Sequence, residues 1–288
     1  MKTVFIVPNL RKKGIDHAVR SVCELLQRYD AEVMLPRYTP ILIEKDNIKF
    51  VELDEGARKA DFIISLGGDG TMLRIAGLAA RYDTPILGVN LGHLGFITAL
   101  EADEIDLIAR VFEGKYQIDN RMMLDVSVVR NGQTIYASTA LNEVIVTKLN
   151  PSKIVRIKVQ ADETTVVHFR GDGLIVSTPT GTTAYSHSAG GPVIEPTAEN
   201  ISVTPICPFT IRGRSFVFSP TRTIAVCAAA MDGGGACISA DGEQPFDLRP
   251  DDMVYIKRSE AVTRLITVKD CSFYDILHEK LSDGGLEA

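Results

Sequence analysis

The stretch Phe62-Ile63-Ile64-Ser65-Leu66, followed at once by Gly67-Gly68-Asp69-Gly70 and then by Thr71 to Tyr82, restricts the fold more than any other part of the chain. An apolar run of that kind reads as a strand buried on both faces of a parallel sheet. The glycines allow a tight turn, and the residues beyond them predict a helix with Thr71 as its cap. The same order appears at the amino end. Val4 to Val7 form an apolar strand, Arg11-Lys12-Lys13-Gly14 a basic turn, and Ile15, Ala18, Val19, Val22, Leu25, Leu26 and Tyr29 one stripe of a helix. Pro85 to Val89 is the next strand. Strands alternating with helices across short turns predict an α/β layer with a mostly parallel sheet, whose ligands sit at the carboxyl ends of the strands.

From about Met122 the texture changes to short β-branched runs, Val126 to Val129, Glu143 to Thr147, Ile154 to Val159, Thr164 to Val167 and Thr223 to Cys227. Arg156-Ile157-Lys158-Val159 alternates polar and apolar, as a strand with one wet face does. Asn131-Gly132 and Asp232-Gly233 are hairpin-turn pairs. This part reads as all-β. Helical spacing then returns, with Phe273, Ile276, Leu277 and Leu281 on one stripe, and Asp283 to Ala288 reads as a frayed end. With 288 residues, about twice the usual domain length, the expected division is an α/β domain over 1–121, an all-β domain over 122–262 and a segment over 263–288 that returns to the first domain.

The formal charge of −6, from 31 basic and 37 acidic side chains, argues against a nucleic-acid partner, which needs clustered basic charge. Any phosphate chemistry must use local groups. No apolar run approaches the length of a membrane span, and Val4 to Pro8 is shorter than a signal-peptide core, so no membrane partner and a cytoplasmic location are expected. Cys23, Cys207, Cys227, Cys237 and Cys271 form no Cys-x-x-Cys pair and have no His at metal-ligand spacing. They read as reduced, mostly buried thiols, Cys207 included, and no protein metal site is expected.

Chemistry concentrates in two stretches. Gly67-Gly68-Asp69-Gly70-Thr71 opens a helix after a buried strand, where backbone amides and the helix terminus favour phosphate. A carboxylate there repels phosphate unless it binds a metal or takes a proton from a nucleophile, so Asp69 suggests phosphoryl transfer. An isolated Asp-Gly would more often only shape a turn. Gly114-Lys115 is followed by Tyr116, so there is no P-loop, and the glycines of Gly88-Val89-Asn90-Leu91-Gly92-His93-Leu94-Gly95 are wrongly spaced for a dinucleotide fingerprint. The second stretch runs from Arg170-Gly171-Asp172-Gly173 through Ser177 to Pro192. So dense a set of hydroxyls and small residues reads as non-core, suited to ribose hydroxyls and an adenine edge, with a solvated loop as the alternative. Asn142-Glu143, at a strand entrance, can bind a ribose diol or close a hairpin. Arg11-Lys12-Lys13 reads as a solvated face, and His93 and His187 as contacts rather than catalysts.

Together these stretches resemble the bacterial NAD kinases, through Gly67 to Gly70, Gly88 to Phe96, Asn142-Glu143, and Asp172-Gly173-Leu174-Ile175-Val176-Ser177-Thr178-Pro179-Thr180-Gly181-Thr182-Thr183-Ala184-Tyr185-Ser186. The last is highly specific, whereas the first is shared with diacylglycerol-type lipid kinases and phosphofructokinases. The resemblance implies an amino-terminal, doubly wound, mostly parallel α/β domain, a carboxyl-terminal β-sandwich domain, a final helix packing back on the first domain, an active site between the domains, and a homotetramer. It also implies transfer of the terminal phosphoryl group of ATP or polyphosphate, with Mg²⁺ or another divalent cation on ATP, to the 2'-hydroxyl of the adenosine ribose of the substrate NAD, giving NADP. The alternatives are a lipid kinase and a non-catalytic dinucleotide sensor.

Position by position, the resemblance makes Asp69 the catalytic carboxylate and Gly67, Gly68, Gly70 and Thr71 the phosphate-binding loop. Gly70, Arg74, Phe96, Asn142, Glu143, Lys153, Arg170, Asp172, Thr183, Ala184, Tyr185, Ser186, His187, Ser188 and Gln244 become NAD-binding residues. Arg74 faces phosphate, Asn142 and Glu143 hold a ribose, and Asp172 acts toward the adenine of NAD held by a neighbouring subunit. Either Glu243 or Gln244 fills the late position of the β domain.

Overall fold

The computed structural model describes residues 1–40, 48–92, 95–210, 213–230, 234–270 and 272–283. His93, Cys271, the Asp232-Gly233 pair, the side chain of Leu281 and most of the carboxyl-terminal tail named above lie outside the described residues. The chain divides into two units, one of Met1–Asn120 with Val262–Ala288, the other of Arg121–Ala261.

The first unit runs β1 (Thr3–Pro8), α1 (Ile15–Arg28), β2 (Glu32–Pro36), β3 (Ile48–Val51), α2 (Leu53–Lys59), β4 (Phe62–Gly67), α3 (Asp69–Arg81), β5 (Ile86–Asn90), β6 (Leu100–Glu101), a 3₁₀ turn (Ala102–Ile108) and α4 (Ala109–Phe112). The strands form a parallel sheet in the order β5-β4-β1-β2-β3. β1 and β4 are buried along nearly their whole length, as continuous apolar strands of a covered parallel sheet must be. The predicted stripe of α1 is buried from Ile15 to Leu26 against the sheet, while Tyr29, beyond its end, stacks on Phe112 with ring centroids 4.6 Å apart. β2, β3 and α2 fall where no element is expected from the sequence, because each is too short to show a period and β3 is an edge strand with its middle exposed. α3 begins earlier than expected. Its cap is Gly68, whose carbonyl accepts from the amides of Thr71 and Met72. Thr71 is therefore not the cap: it is buried inside the first turn, and its hydroxyl accepts from Asn9 Nδ2 at 3.2 Å.

The second unit contains most of β7 (Gln117–Arg130), then β8 (Gln133–Ala140), β9 (Glu143–Lys148), β10 (Val155–Ala161), β11 (Thr164–Gly171), β12 (Gly173–Ser177), a 3₁₀ turn (Thr180–Thr183), α5 (Tyr185–Ser188), β13 (Ile201–Ile206), β14 (Phe216–Phe218), β15 (Ile224–Ala230), β16 (Ala236–Ala240), β17 (Phe246–Leu248) and the first part of β18 (Met253–Thr267). Two sheets result, β8-β7-β18-β15-β10-β11 and β14-β13-β12-β9-β16-β17. One core collects Leu124, Ile157 and Val226 from the first with Val146, Leu174 and Ile238 from the second, which is a β-sandwich. Asn131-Gly132, at φ 50° and 77°, closes the two-residue hairpin between β7 and β8. Val155, Ile157 and Val159 of β10 point into the core while Arg156 and Lys158 stay exposed, as the alternation requires.

The end of β18 pairs Leu265 with Ile86 of β5, and α6 (Phe273–Asp283) belongs to the first unit. Cys23 and Cys237 are buried and Cys227 is half-buried, but Cys207 is exposed, contrary to expectation. It turns the chain at φ 44°, after β13 and before Pro208, so its thiol leaves the sheet. Leu174 is fully buried at the centre of the sandwich core. Leu174→Ala should lower the stability of the second unit by about 2–5 kcal/mol in urea unfolding, while the same truncation of exposed Leu149 should cost under about 1 kcal/mol.

Candidate active site

In the first unit, β4 and β5 are adjacent parallel strands, so the loops that leave their carboxyl ends lie side by side, joined by Leu91 N–H to Gly67 C=O. The turn after β4 places Asp69 as the first residue of α3. Its Oδ2 accepts from the Phe96 amide at 2.7 Å and its Oδ1 from the Ile97 amide at 3.3 Å, with the Thr98 hydroxyl at 3.4 Å. Gly95 makes this possible, because a Cβ there would collide with Asp69 Oδ1 and Thr98 Oγ1. The carboxylate is thus fixed in direction by backbone that belongs to the neighbouring loop.

Asp69 lines a cavity of about 330 Å³ with Gly68, Gly70, Thr71, Asn9, Lys12, Asn90, Gly95 and Lys280. Lys12 belongs to the basic run read as a solvated face. Arg11 and Lys13 are exposed as expected, but Lys12 is only partly so and turns its ammonium toward Gly92. Lys280 lies over the Phe96 ring, 4.5 Å from its centroid, a cation–π pair that joins α6 to the loop after β5. Two cations, glycine backbone and one oriented carboxylate around a cavity suit phosphate and a proton-losing group together. Arg74 lies on the exposed side of α3, near the phenol of Tyr38.

In the second unit, Asn142 and Glu143 lie at the entry of β9, both buried. Directly opposed across neighbouring strands are Glu143 and Ser177, then Ser177 and Ser202. Asn142 Oδ1, Glu143 Oε2 and both serine hydroxyls are buried without a hydrogen-bond partner. The 3₁₀ turn Thr180–Thr183 packs on this segment so closely that a Cβ on Gly181 would meet the Asn142 carbonyl. Arg121 Nη1 donates to Thr180 Oγ1 at 3.3 Å. The hydroxyl-rich stretch, expected to lie outside the core, is mostly buried: Ser177, Thr178, Thr180, Thr182 and Ser186 are all under 5% exposed. Internal bonds make this possible, with Thr178 Oγ1 donating to Leu141 C=O, Thr182 Oγ1 to Pro179 C=O, and Ser186 and Thr204 hydroxyls paired at 3.2 Å. Tyr185, His187 and Ser188 remain exposed, and Thr183 and Ala184 partly so.

The other expected residues are dispersed. Asp172 is half-buried and paired to Lys148 at 2.6 Å. Arg170 is exposed on β11, Lys153 is partly exposed in the loop after β9, and Gln244 is exposed in the turn after β16, where Glu243 Oε2 instead accepts from Ser138 at 3.0 Å. Asn9, Asn90, Lys280, Lys148 and Asp241 carry no individual expectation from the sequence and reach these clusters across long sequence separations. Asp241 alone had a local signal, as half of an Asp-Gly turn pair.

Burial first, and then the negative charge of Asp241, push the Glu143 carboxyl up to about 8. Burial also pushes Asp241 up to about 6, against the pull of the amides it accepts from. Raised folded-state values mean that the folded chain holds extra protons, so this contribution to stability is full below the ordinary carboxylate range. It is lost as pH rises toward 8. Thermal melting should therefore show the wild type losing stability between pH 6 and 8 relative to Glu143→Gln, and parallel curves would contradict the buried neutral Glu143.

The family model for the ATP-NAD kinase N-terminal domain matches residues 4–116, and that for the C-terminal domain matches 141–268. An NAD kinase of Caldanaerobacter subterraneus subsp. tengcongensis is 41% identical over 286 residues, spanning 98% of this chain and 100% of the relative. One from Thermoanaerobacter sp. (strain X514) is 39% identical over 284 residues, 98% of this chain and 100% of the relative. The crystal structure of an NAD kinase from Archaeoglobus fulgidus in complex with ATP aligns with TM-score 0.76 at 29% identity over 97% of this chain and 98% of that one. Yeast NADH kinase, solved with NADH, aligns with TM-score 0.87 over 100% of this chain and 89% of that one, and at 20% identity it supports the fold alone. With both halves matched in order and relatives aligned along almost the whole chain, the chain belongs to the NAD kinase family, enzymes that phosphorylate NAD to NADP.

Proposed function

We propose that Asp69 is the general base of this phosphoryl transfer and that the acceptor is the 2'-hydroxyl of the adenosine ribose of NAD. The observation that carries the reading is the Asp69 carboxylate, oriented by the amides of Phe96 and Ile97 on the wall of a cavity that also holds Lys12 and Lys280. A ribose hydroxyl is a weak nucleophile. As its oxygen bonds to the terminal phosphorus of the donor, the bond from that phosphorus to the bridging oxygen breaks, the shortened donor leaves, and the hydroxyl proton passes to Asp69.

The donor is ATP, in keeping with the complex of the Archaeoglobus fulgidus relative, with polyphosphate as an alternative that presents the same phosphate tail. Lys12, Lys280 and the backbone of Gly68 and Gly70 offset its negative charge. Mg²⁺ or another divalent cation would enter on the phosphates of the donor, with the Asp69 carboxylate as a hard oxygen donor on the cavity wall that could help to hold it. Such an ion would supply neutralisation of the charge on the transferring phosphate.

Arg74 serves as a further phosphate-facing cation and Phe96 packs on the nucleotide. Asn142 and Glu143, whose buried oxygens lack partners, hold a ribose, and the stretch Thr183 to Ser188 contributes to the adenosine pocket. Lys153, Arg170 and Gln244 are assigned to NAD by the resemblance, with Asp172 directed to the adenine of NAD bound by a neighbouring subunit of a homotetramer in the cytoplasm.

A coupled assay for NADP formation, run with ATP·Mg²⁺ and separately with polyphosphate, tests the reading. Asp69→Asn should bind NAD within about threefold of wild type while losing ~10²- to 10⁴-fold in kcat. A wild-type rate in that variant would remove Asp69 from the chemistry. Lys12→Met should raise the KM for ATP about tenfold and leave that for NAD unchanged, as removal of one phosphate contact does. Asp172→Ala should raise the KM for NAD, and an unchanged value would leave Asp172 only its pairing with Lys148.

A further inference from the structure

Every main-chain polar group of Leu141-Asn142-Glu143 is hydrogen-bonded, and Asp241 supplies the largest share. Its Oδ2 accepts from the Leu141 amide at 2.6 Å, and its Oδ1 from the Asn142 and Glu143 amides at 2.9 Å each. Its own amide donates to Glu143 C=O at 3.0 Å. The remaining carbonyls are held from the other side, Leu141 C=O by the Thr178 hydroxyl at 2.6 Å and Asn142 C=O by the Thr178 amide at 2.9 Å. Three consecutive residues are thereby fixed from both edges, yet Asn142 Oδ1 and Glu143 Oε2 are buried with nothing to bond. A segment whose backbone is fully satisfied and whose side-chain oxygens are left over is built to present those oxygens to a ligand.

We propose that Asp241 is a positioning residue for NAD binding, its carboxylate clamping three successive amides so that Asn142 and Glu143 meet the ribose at a fixed place. The proposal rests on the reading that Asn142 and Glu143 hold NAD. Asp241 touches no ligand itself. It sits at φ 44° beside Gly242 at φ 75°, in a turn closed by the Glu243 amide on Ala240 C=O, so the turn alone accounts for its backbone. A turn does not account for a half-buried carboxylate aimed at backbone about a hundred residues away.

The chemistry also explains why the clamp is an aspartate. A carboxylate is the one side chain that accepts from three amides at once without needing a donor partner of its own. Asparagine fits the turn equally well, since it too adopts positive φ. Its amide nitrogen, however, would face an N–H with which it cannot bond. Asp241→Asn therefore keeps the turn, the volume and the hairpin while loosening the segment.

The test measures KM for NAD, KM for ATP and kcat in wild type, Asp241→Asn, Asn142→Ala and the double variant, with melting temperatures for each. Asp241→Asn should raise the KM for NAD about tenfold or more, move the KM for ATP less than twofold, and have less than a threefold further effect once Asn142 is alanine, because the two act as one unit. Equal rises in both KM values, or effects that multiply in the double variant, would overturn the positioning role. An Asn142→Ala enzyme with an unchanged KM for NAD would strike the ribose contact itself and the clamp's function with it. If Asp241→Asn does not fold, Thr178→Val loosens the same backbone from its carbonyl edge and is judged by the same two ratios.

Discussion

The carboxylate of Asp69 accepts from the amides of Phe96 and Ile97, and those two bonds tie the turn after β4 to the loop after β5. The parallel sheet brings the two loops to the same edge, where Leu91 N–H bonds Gly67 C=O and the carboxylate adds the side-chain link between them. Gly95 gives way so that the side chain can approach, Phe96 is held where Lys280 can lie across its ring, and the cavity beside Asp69 takes its wall from both loops. Remove the side chain and the loop after β5 loses the acceptor for these two amides. A carboxylate fixed by main chain keeps its direction, which is what a group taking a proton from a bound hydroxyl requires.

The whole chain carries a formal charge of −6, yet the groups facing that cavity include two lysines against one aspartate. No contradiction follows, because water and salt screen charges beyond about 10 Å while groups across a cavity interact at a few ångströms. An acidic exterior and a cationic recess coexist, and the recess alone decides what phosphate meets.

The elements with continuous apolar runs or a clean helical stripe, β1, α1, β4 and β5, were legible, and so was the change to an alternating β texture near Met122. Short elements such as α2 and β3 were not, since no period develops in so few residues. The turn around Asp69 was legible because glycines concentrate there. Its partners were not, because the Phe96 and Ile97 amides carry no sequence signal and Lys12 is one cation in a run of three. Hydroxyl density misleads in the Ser177 to Ser186 region: composition predicts a segment outside the core, but each buried hydroxyl of Thr178, Thr182 and Ser186 finds an internal partner, which composition cannot reveal. Cys207 misled in the opposite sense, since apolar character suggests burial but the backbone turns it outward. Asp241 had only the trace of an Asp-Gly pair, while its three acceptor bonds span separations that local patterns do not encode.

Asp69 and Asp241 use the same device, a carboxylate facing amides of another segment, and both are half-buried. Asp69 borders a cavity, so it can meet substrate. Asp241 borders no described cavity, accepts from three amides, and sits close enough to Glu143 for its charge to raise that carboxyl further. Two carboxyls so placed resist ionising together, and the amides decide between them. Three amides favour the charged form of Asp241, while burial and that charge favour the proton on Glu143. Glu143 then offers a donor beside the acceptor Oδ1 of Asn142. Such an uncharged donor and acceptor pair suits sugar hydroxyls, each of which both gives and takes a hydrogen bond, and would be a poor match for a phosphate. Burial does most to keep Glu143 uncharged, and the charge of the clamp adds to it, so the group that fixes the backbone of the pair also favours its neutral form.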